Sequence, residues 1–414
     1  MRFLVVTQYF FPEPGAPSNR LQAFVDAMLE RGHEVTVICE FPNYPSGRLA
    51  REDRGRLFRI EKKGSLKIIR TFVLTFARKN NVKRMLFYLS FALSSFVAAL
   101  ILRRRDVILA SSPPIFHVYM ATLAAWLKRS RLVVDIRDIW PDTVVEFEAI
   151  RAGRLMRWGG KIERGIYDKA DLIFCISNGM REKVAVRGGD NKIRIIYNGS
   201  SEDMLSWAGD RQAVRRALGW DGKLVVAYMG VIGLGQDLSA LLPEIAGSHL
   251  DDTFFVFIGD GPGKEALIRE KDRLGTDSVI IMAPSPRSKV VEYTHAADIM
   301  LVILRESDFF MSAIPSKFFD GMAAGKPVVS NVDGELREIM ERNNAGLYFS
   351  LREKGSFRKA IQSLGADSGL RQRMGENGRS LTRERFLRSE ISREAIKEVE
   401  HRFGSEDHPV RPGN

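Results

Sequence analysis

The sequence predicts an α/β protein made of two doubly wound parallel-sheet domains. Short, nearly continuous apolar runs alternate with amphipathic helical stretches along most of the chain. Strands that are apolar on both faces are typical of parallel sheets covered by helices. The runs are too many for one sheet, and a polar stretch around Asn198–Gly209 divides them into two series.

The apolar runs define the expected strands. In the first series these are Arg2–Thr7, Glu34–Cys39, Leu66–Thr71, Asp106–Ala110, Arg131–Ile136, Asp171–Ile176 and Ile193–Ile196. In the second series they are Lys223–Tyr228, Thr253–Ile258, Ser278–Met282, Asp298–Leu304, Pro327–Asn331 and Gly346–Phe349.

The two series define the domain boundaries. We expect residues 1–198 and 199–381 to form two domains that face each other, with ligands bound at the carboxyl ends of the strands between them. A charged helix follows over Thr382–Phe403, and a disordered tail over 404–414.

Composition describes a globular chain with an anionic partner. The 414 residues are 45% hydrophobic, with a mean hydropathy of -0.14. A net charge of +12 and a pI near 9.7 favour nucleic acid, an acidic membrane or a phosphorylated substrate. Cys39 and Cys175 both lie in apolar runs and cannot define a disulfide framework, so we expect a reduced, cytoplasmic protein. The apolar run Phe3–Val6 is too short for a signal peptide and is interpreted as a strand.

A short helix in the second domain carries the strongest functional signal. In the stretch 314–328, Pro315 fits the first helical turn, and a glycine and a second proline end the helix about ten residues later. Free N–H groups at the helix start favour an anion, and Ser316 and Lys317 add a hydroxyl group and a cation. Asp320, one turn later, can accept hydrogen bonds from the two hydroxyls of a ribose. This layout suits a nucleoside diphosphate.

Three glycine-rich turns follow predicted strands and precede helices. They contain Gly15 and Arg20, Gly230 and Gly233, and Gly259 and Gly261. Glycines there let backbone amides approach a diphosphate. Each turn alone is also explained as a connector without a ligand, and the first lacks the G-x-G-x-x-G fingerprint of dinucleotide-binding folds. The turn with Gly230 and Gly233 and the turn with Gly259 and Gly261 are expected near the Pro315–Asp320 helix, which favours a single phosphate site formed by all three.

Polar and aromatic side chains follow the fifth predicted strand of the first series. Arg137, Asp138 and Trp140 are expected to point out from the carboxyl edge of the sheet, as site residues do. A charge network of Arg137 with Asp135 and Asp138 is the structural alternative. His117 follows another strand end and either contacts the acceptor substrate or is a partly buried helical histidine.

An uncharged segment, Met85–Leu102, lies between two predicted strands of the first domain. A spanning helix needs about 20 apolar residues, and a span here would disrupt the sheet. Basic residues flank both ends and are worth about 1 kcal/mol each near anionic lipid headgroups. They are Arg78, Lys79, Lys83 and Arg84 on one side and Arg103, Arg104 and Arg105 on the other. We therefore expect a helix that packs one face on the domain and presents the rest to a bilayer surface. An ordinary buried helix is the alternative.

Taken together, the motifs resemble the group 1 (family 4) glycosyltransferases of the GT-B fold, in particular bacterial O-antigen and capsule enzymes such as fucosamine transferases. The resemblance covers nearly the whole chain. It rests on VVTQYFFPEPGAPSNR, RGHEVTVIC, DIRDIWPD, YMGVIGLGQDL, FIGDGPG, AADIMLVIL and PSKFFDGMAAGKPVVS.

The resemblance implies roles for individual residues. The donor diphosphate would lie near Gly15 and Ala16, the turn with Gly230, Gly233 and Gln236, the turn with Gly259 and Gly261, and the helix start with Pro315, Ser316 and Lys317. Asp320 would bind the ribose, and the loop Ala283–Arg287, with Pro284 and Arg287, the nucleobase. Arg20 or Arg137 would help to neutralise the phosphates.

The chain departs from the family pattern at two places. The family commonly has a Glu-x7-Glu pair, of which Asp320 matches the second member while the first falls on Ser312; Glu306 and Asp308 are out of register. Many relatives also place an arginine and a lysine where this chain has Val231 and Gln236.

We therefore expect transfer of a sugar from a nucleoside-diphosphate donor, a UDP-sugar, to a lipid-linked (polyprenyl-diphosphate) glycan in surface polysaccharide synthesis. The expected reaction retains anomeric configuration and uses no metal or other cofactor. Asp138, Arg137 and Lys317 are the catalytic candidates, and His117 and Trp140 the acceptor-binding ones. The expected location is the inner face of the cell membrane.

Three alternatives remain at this stage. The first is a GT-B nucleotide-sugar epimerase that uses the same site, and the second is a catalytically silent, membrane-associated assembly protein. A nucleic-acid binder ranks below both, because the positive clusters flank an apolar helix rather than interleaving with aromatic residues.

Overall fold

The structure is a computed structural model that describes residues 1–43, 47–76, 81–140, 154–247, 250, 252–307 and 310–404. Arg78, Lys79, Asp308 and the tail predicted after Gly404 lie outside the described residues. The chain divides into two compact units. The first comprises Met1–Tyr197 and the C-terminal segment from Ser389, and the second comprises Asn198–Arg388.

The first unit alternates strands and helices. Its strands are β1 (Arg2–Val6), β2 (Glu34–Glu40), β3 (Phe58–Lys63), β4 (Leu66–Thr71), β5 (Val107–Ser112), β6 (Arg131–Ile136), β7 (Leu172–Cys175) and β8 (Ile193–Ile195). Its helices up to Tyr197, where the chain passes into the second unit, are α1 (Ala16–Glu30), α2 (Asn81–Ile101), α3 (Ile115–Lys128), α4 (Arg154–Lys169) and α5 (Asn178–Arg187).

The second unit repeats this alternation. Its strands are β9 (Leu224–Met229), β10 (Thr253–Ile258), β11 (Val279–Met282), β12 (Ile299–Val302), β13 (Val328–Ser330) and β14 (Gly346–Tyr348). Its helices are α6 (Glu202–Leu205), α7 (Arg211–Leu218), α8 (Leu242–Ala246), α9 (Lys264–Leu274), α10 (Arg287–Ala296), α11 (Ser316–Ala323), α12 (Glu335–Arg342), α13 (Ser356–Ala366) and α14 (Ser368–Arg385). The last helix is α15 (Arg388–Phe403).

Each unit has its own sheet, so the expected two-domain α/β architecture is confirmed. The strand order is β3-β4-β2-β1-β5-β6-β7-β8 in the first and β11-β10-β9-β12-β13-β14 in the second. All the neighbouring strands pair in parallel except β3 and β4.

Both faces of the first sheet are covered by apolar side chains. Leu4 and Val6 of β1 contribute to a core shared with α2, α3 and α4, whereas Phe3 and Val5 contribute to the opposite core. Successive side chains of a strand point to opposite faces, so the continuous apolar run of β1 serves both cores.

The predicted helix Thr382–Phe403 is two helices. Helix α14 ends at Arg385 and α15 begins at Arg388. Ala395, Ile396 and Val399 of α15 are fully buried in the core that contains β1 and α1. The predicted division at residue 381 therefore differs from the structure, in which the last helix returns to the first unit.

Two further expectations needed correction. Helix α1 begins at Ala16, so Arg20, which was expected in the turn before this helix, lies in its second turn. Strand β3 was missed because its alternating sequence, FRIEKK, is partly exposed and lacks an apolar run. It pairs only with β4, at the edge of the sheet and antiparallel to it.

The predicted helix over Met85–Leu102 is confirmed as α2, which connects β4 to β5 and packs on α3. The most apolar 18-residue window within Val82–Ile101 has a mean hydropathy of 1.7, and 28% of that window is buried. Its length and composition would allow it to cross a bilayer. One stripe of apolar side chains is exposed to solvent: Val82, Leu86, Leu89, Leu93, Val97, Leu100 and Ile101.

Candidate functional site

The turn after β9 and the start of α11 meet at one edge of the second sheet. The strand order reverses direction between β9 and β12, and ligands of such sheets bind beyond the carboxyl ends of the strands at this switch point. A Cβ atom built on Gly230 would lie 3.5 Å from Nζ of Lys317. The structure thus brings together these two residues, which the sequence predicted to share a phosphate site.

The ammonium group of Lys317 rests on an aromatic ring. Its Nζ lies 3.6 Å from the centroid of the Tyr228 ring, which is the geometry of a cation–π contact. The Tyr228 hydroxyl donates to the carbonyl oxygen of Val231, which fixes the ring. Burial lowers the pKa of Lys317 to about 7. Among the described residues no carboxylate forms an ion pair with Lys317.

The start of α11 differs slightly from the prediction. Pro315 is the N-cap residue, with φ −61° and ψ 139°, and the helix begins at Ser316. Because a proline has no N–H group, the amides available for an anion begin with the first turn after Pro315. Ser316 and Lys317 occupy that turn, as expected.

Asp320 lies one turn later and is already engaged. Its carboxylate accepts hydrogen bonds from the Ser200 hydroxyl and from Arg287. Arg287, predicted to lie near the nucleobase, also contacts Ser201 and Asp203. The two serines and Asp203 were not predicted as site residues, because they lie in the polar stretch that was interpreted only as the division between the two series of strands. Pro284 is exposed in the loop before α10.

The remaining predicted donor turns are packed against each other. A Cβ atom on Gly259 would lie 1.8 Å from the carbonyl oxygen of Gly230, and one on Gly261 would lie 2.4 Å from that of Ile232. Close backbone packing therefore requires these glycines, whatever they do for a ligand. The N–H group of Gly233 donates to Oε1 of Gln236 at 3.1 Å, so a phosphate would compete with this side chain for the amide.

The structure places Ser312 and Glu306, the residues at and near the first position of the Glu-x7-Glu pair, at two different turns of the second unit. Ser312 ends a 3₁₀ turn, Phe310–Ser312. Glu306 accepts hydrogen bonds from the Ser350 hydroxyl and the Leu351 amide, and pairs with Arg352. Its carboxylate therefore holds the turn at residues 350–352, after β14.

In the first unit, the strand order reverses between β1 and β5. Gly15 and Ala16 lie beyond the end of β1, exposed at the N-terminus of α1. Gly15 has φ 136°, and a Cβ atom there would contact only Pro17. The backbone at Gly15 and Ala16 is thus accessible, and its contact with the donor stays a prediction.

Arg20 occupies a different place from the one predicted. Its guanidinium group donates to both carboxylate oxygens of Asp135, the shortest distance being 2.8 Å, and to the carbonyl oxygen of Tyr197. Both charged side chains are at most 2% exposed. A buried carboxylate requires a counter-charge, so Arg20 is a structural partner of Asp135 and offers no accessible donor to a phosphate.

Arg137 and Asp138 lie beyond the end of β6. Arg137 donates to the Ser111 hydroxyl and to the carbonyl oxygen of Pro113, while Ser111 donates to Asp135 at 2.7 Å. Nε of Arg137 also lies 3.9 Å from Oδ2 of Asp135, so the part of the alternative charge network that joins Arg137 to Asp135 is present. Asp138 is exposed at this edge of the sheet.

His117 and Trp140, the two acceptor-binding candidates, are both buried; for His117 this agrees with the alternative of a buried histidine on a helix. His117 is 1% exposed, lies against the ring of Phe91, and has its Nε2 2.9 Å from the carbonyl oxygen of Ser111. Burial lowers its pKa to about 3. Trp140 is 7% exposed and packs edge-on against Phe116, with ring centroids 5.4 Å apart. Their surfaces are used in the core, so neither is presented to a ligand.

No three His, Cys, Asp or Glu side chains of the described part of the chain are grouped as they would be around a metal ion. Cys39 and Cys175 are buried and not bonded to each other.

Two Rossmann-like units, with a lysine-bearing helix at the switch point of the second sheet, are the architecture of the GT-B glycosyltransferases. Residues 15–199 match the glycosyl transferase 4-like domain and residues 210–381 match the glycosyl transferases group 1 family. The chain belongs to the group 1 glycosyltransferases.

Known proteins agree with this assignment. WcaI of Escherichia coli (strain K12), provisionally named a colanic acid biosynthesis glycosyl transferase, is 24% identical over 82% of this chain and 86% of its own. Among solved structures, sucrose-phosphate synthase from Thermosynechococcus elongatus has a TM-score of 0.77 at 15% identity, covering 97% of this chain and 99% of its own. Anabaena HepE in complex with UDP-glucose has a TM-score of 0.71 at 16% identity, covering 97% and 100%.

Proposed function

We propose that this glycosyltransferase moves a sugar from a nucleoside-diphosphate donor, a UDP-sugar, to a hydroxyl group of a lipid-linked saccharide. The observation that carries the proposal is the placement of Lys317 and Asp320 one turn apart on α11, with Lys317 beside the turn at Gly230. A cation and amides suit a diphosphate, and a carboxylate suits the ribose. The solved complex of HepE with UDP-glucose supports the choice of base.

The proposed chemistry depends on stabilising the leaving diphosphate. The bond from the anomeric carbon to the phosphate oxygen breaks, and a bond to the acceptor oxygen forms on the same face of the sugar. The acceptor proton passes to an oxygen of the leaving phosphate. Lys317 and the amides at the start of α11 would stabilise the negative charge that develops, without a metal ion. Asp138 and Arg137, at the edge of the first sheet, are candidates to orient the sugar or the acceptor.

We further propose that the protein acts at the inner face of a bacterial cell membrane, on a polyprenyl-diphosphate glycan that becomes surface polysaccharide. The exposed apolar stripe of α2 and the exposed Lys83, Arg103 and Arg104 near its ends support this location. Such a helix binds a bilayer surface through apolar burial and attraction to anionic headgroups. The naming of WcaI for colanic acid biosynthesis supports a polysaccharide product.

The decisive experiment combines binding with transfer. Thermal shifts are measured with UDP-, GDP- and ADP-sugars, because a ligand at 100 times its Kd stabilises by about 2.7 kcal/mol. The best donor is then incubated with polyprenyl-diphosphate saccharides, and the product is identified by mass spectrometry. We expect product with the wild type and far less with Lys317→Ala.

Two results would contradict the proposal. Donor isomerised or hydrolysed at the same rate without any acceptor would indicate an epimerase or a hydrolase. Failure of every nucleotide sugar to bind would remove the donor site altogether.

A further inference from the structure

The carboxylate of Asp320 is held from two sides. The Ser200 hydroxyl donates to Oδ1 at 2.5 Å, and Nη1 of Arg287 donates to Oδ2 at 3.2 Å. The Asp320 side chain is 18% exposed. Each oxygen therefore has one hydrogen bond within the protein, and the carboxylate still reaches solvent.

Arg287 is itself held by two residues at the beginning of the second unit, Ser201 and Asp203. Its Nη2 donates to the Ser201 hydroxyl at 2.7 Å, and its Nε donates to Asp203 at 3.3 Å. Burial opposes ionisation of Asp203, but hydrogen bonds from Ser201 and Arg287 outweigh it and lower the pKa of this carboxyl group. The guanidinium group is thus bound on three edges, and its direction toward Asp320 is set before any ligand arrives.

The backbone around Ser200 is equally fixed. Its N–H group donates to the carbonyl oxygen of Phe386, and its own carbonyl oxygen accepts from the N–H group of Arg388. The Arg388 side chain donates to the carbonyl oxygens of Asn198 and Gly199. The hydroxyl that meets Asp320 therefore comes from an anchored segment.

We propose that Arg287 and Ser200 are positioning residues that aim Asp320 at the donor ribose and make the site selective for ribose over 2′-deoxyribose. An ionised carboxylate has about four acceptor sites on its two oxygens. One site on each oxygen is used here, which leaves one on each for a pair of neighbouring hydroxyl groups. The assignment rests on the proposed function, and it gives Arg287 a role other than contact with the nucleobase.

The selectivity follows from hydrogen-bond energetics. A ligand without the 2′-hydroxyl leaves the second acceptor site on one oxygen of this partly buried carboxylate unfilled, and hydrogen bonds to charged groups are the stronger ones. A fixed carboxylate cannot turn to compensate. A carboxylate released from Arg287 can turn and be hydrated, so its preference for the diol falls.

The test is isothermal titration of the full chain with UDP, GDP and ADP and with their 2′-deoxy forms. For the nucleotide that binds best, we expect the wild type to bind the ribose form about 10-fold or more tightly than the deoxy form. Arg287→Ala should reduce this ratio to about 1 to 3, and Ser200→Ala should reduce it in part. Ser200→Thr, which keeps the hydroxyl, should restore it. Arg269→Ala removes an exposed arginine of α9 and serves as the matched control.

The ratio separates positioning from general damage to the fold. A purely structural role would weaken both forms of the nucleotide equally and leave the ratio unchanged. If Arg287→Ala does not fold, the two Ser200 variants decide. Wild-type binding with no preference for ribose, or a wild-type ratio in both alanine variants, would overturn the assignment while leaving the proposed function in place. If no nucleotide bound to the wild type, the proposed function would fail as well.

Discussion

The ammonium group of Lys317 lies 3.6 Å from the centroid of the Tyr228 ring. The ring attracts the ammonium group more weakly than a diphosphate would, and among the described residues no carboxylate pairs with it. We expect Lys317→Ala to lower turnover by on the order of 10² or more, as the loss of one charge-stabilising donor does. Initial rates at saturating donor measure this effect. Lys289→Ala, on α10 and 52% exposed, is the control, and wild-type turnover in Lys317→Ala would exclude the lysine from the mechanism.

The affinity for the donor should depend on pH through the same lysine. Its pKa is about 7 in the ligand-free protein, so it is charged below pH 7 and increasingly neutral above. A diphosphate favours the charged form, and binding above pH 7 must therefore take up a proton. We expect the Kd of UDP to rise from pH 7 to pH 9, by up to about 10-fold per unit. Titration calorimetry at pH 6, 7, 8 and 9 measures it. In Lys317→Ala, any remaining change of the Kd with pH comes from the ionisation of UDP itself. The same change of the Kd with pH in the wild type and in Lys317→Ala would refute the prediction.

The buried pair of Arg20 and Asp135 should contribute to stability. Arg20→Ala leaves a buried carboxylate without its counter-charge, which typically costs about 3–5 kcal/mol. Arg2→Ala breaks a half-exposed arginine–aspartate pair of the same unit and should cost at most about 1 kcal/mol. Urea unfolding of both variants gives the comparison. Equal stability of the two, with lost donor binding in Arg20→Ala only, would return Arg20 to the donor site.

The exposed stripe of α2 should determine binding to membranes. Leu93 and Val97 are 61% and 48% exposed, and their insertion into a bilayer would bury apolar surface. The double variant Leu93→Gln, Val97→Gln should bind vesicles that contain phosphatidylglycerol about 10-fold or more weakly, with unchanged stability. Cosedimentation measures this. Val186→Gln, on α5 and 85% exposed, is the control, and unchanged binding of the double variant would exclude this stripe as the membrane contact.

Helix α15 should be necessary for the stability of the first unit. Ile396 is fully buried beside β1 and α1, so Ile396→Ala should cost about 2–5 kcal/mol. Hydrogen exchange of β1 amides reports on this unit alone. Lys397→Ala changes the adjacent, exposed position and should leave the exchange unaffected; faster exchange in both variants would contradict the specific role of the core contact.

The strands were predictable because burial on both faces of a parallel sheet produces continuous apolar runs. Leu66–Thr71, Arg131–Ile136 and Thr253–Ile258 have the bounds that were expected. The layout of α11 was also predictable from the sequence, since its lysine, its N-terminal amides and its carboxylate lie within one short segment. Asp135, the partner of Arg20, is 115 residues away in the sequence. No local sequence pattern shows that an arginine is paired with such a distant carboxylate. The burial of Trp140 against Phe116 was hidden for the same reason.

The last helix of the chain completes the core of the first unit, which has a consequence for folding during synthesis. Domains usually fold as they leave the ribosome, at about 5–20 residues per second. Here the surface that Ile396 and its neighbours cover must wait until the whole second unit has been made, which is a delay on the order of 10 to 40 s at that rate. A ribosome that stalls in the second unit would leave this nascent chain with an uncovered apolar face.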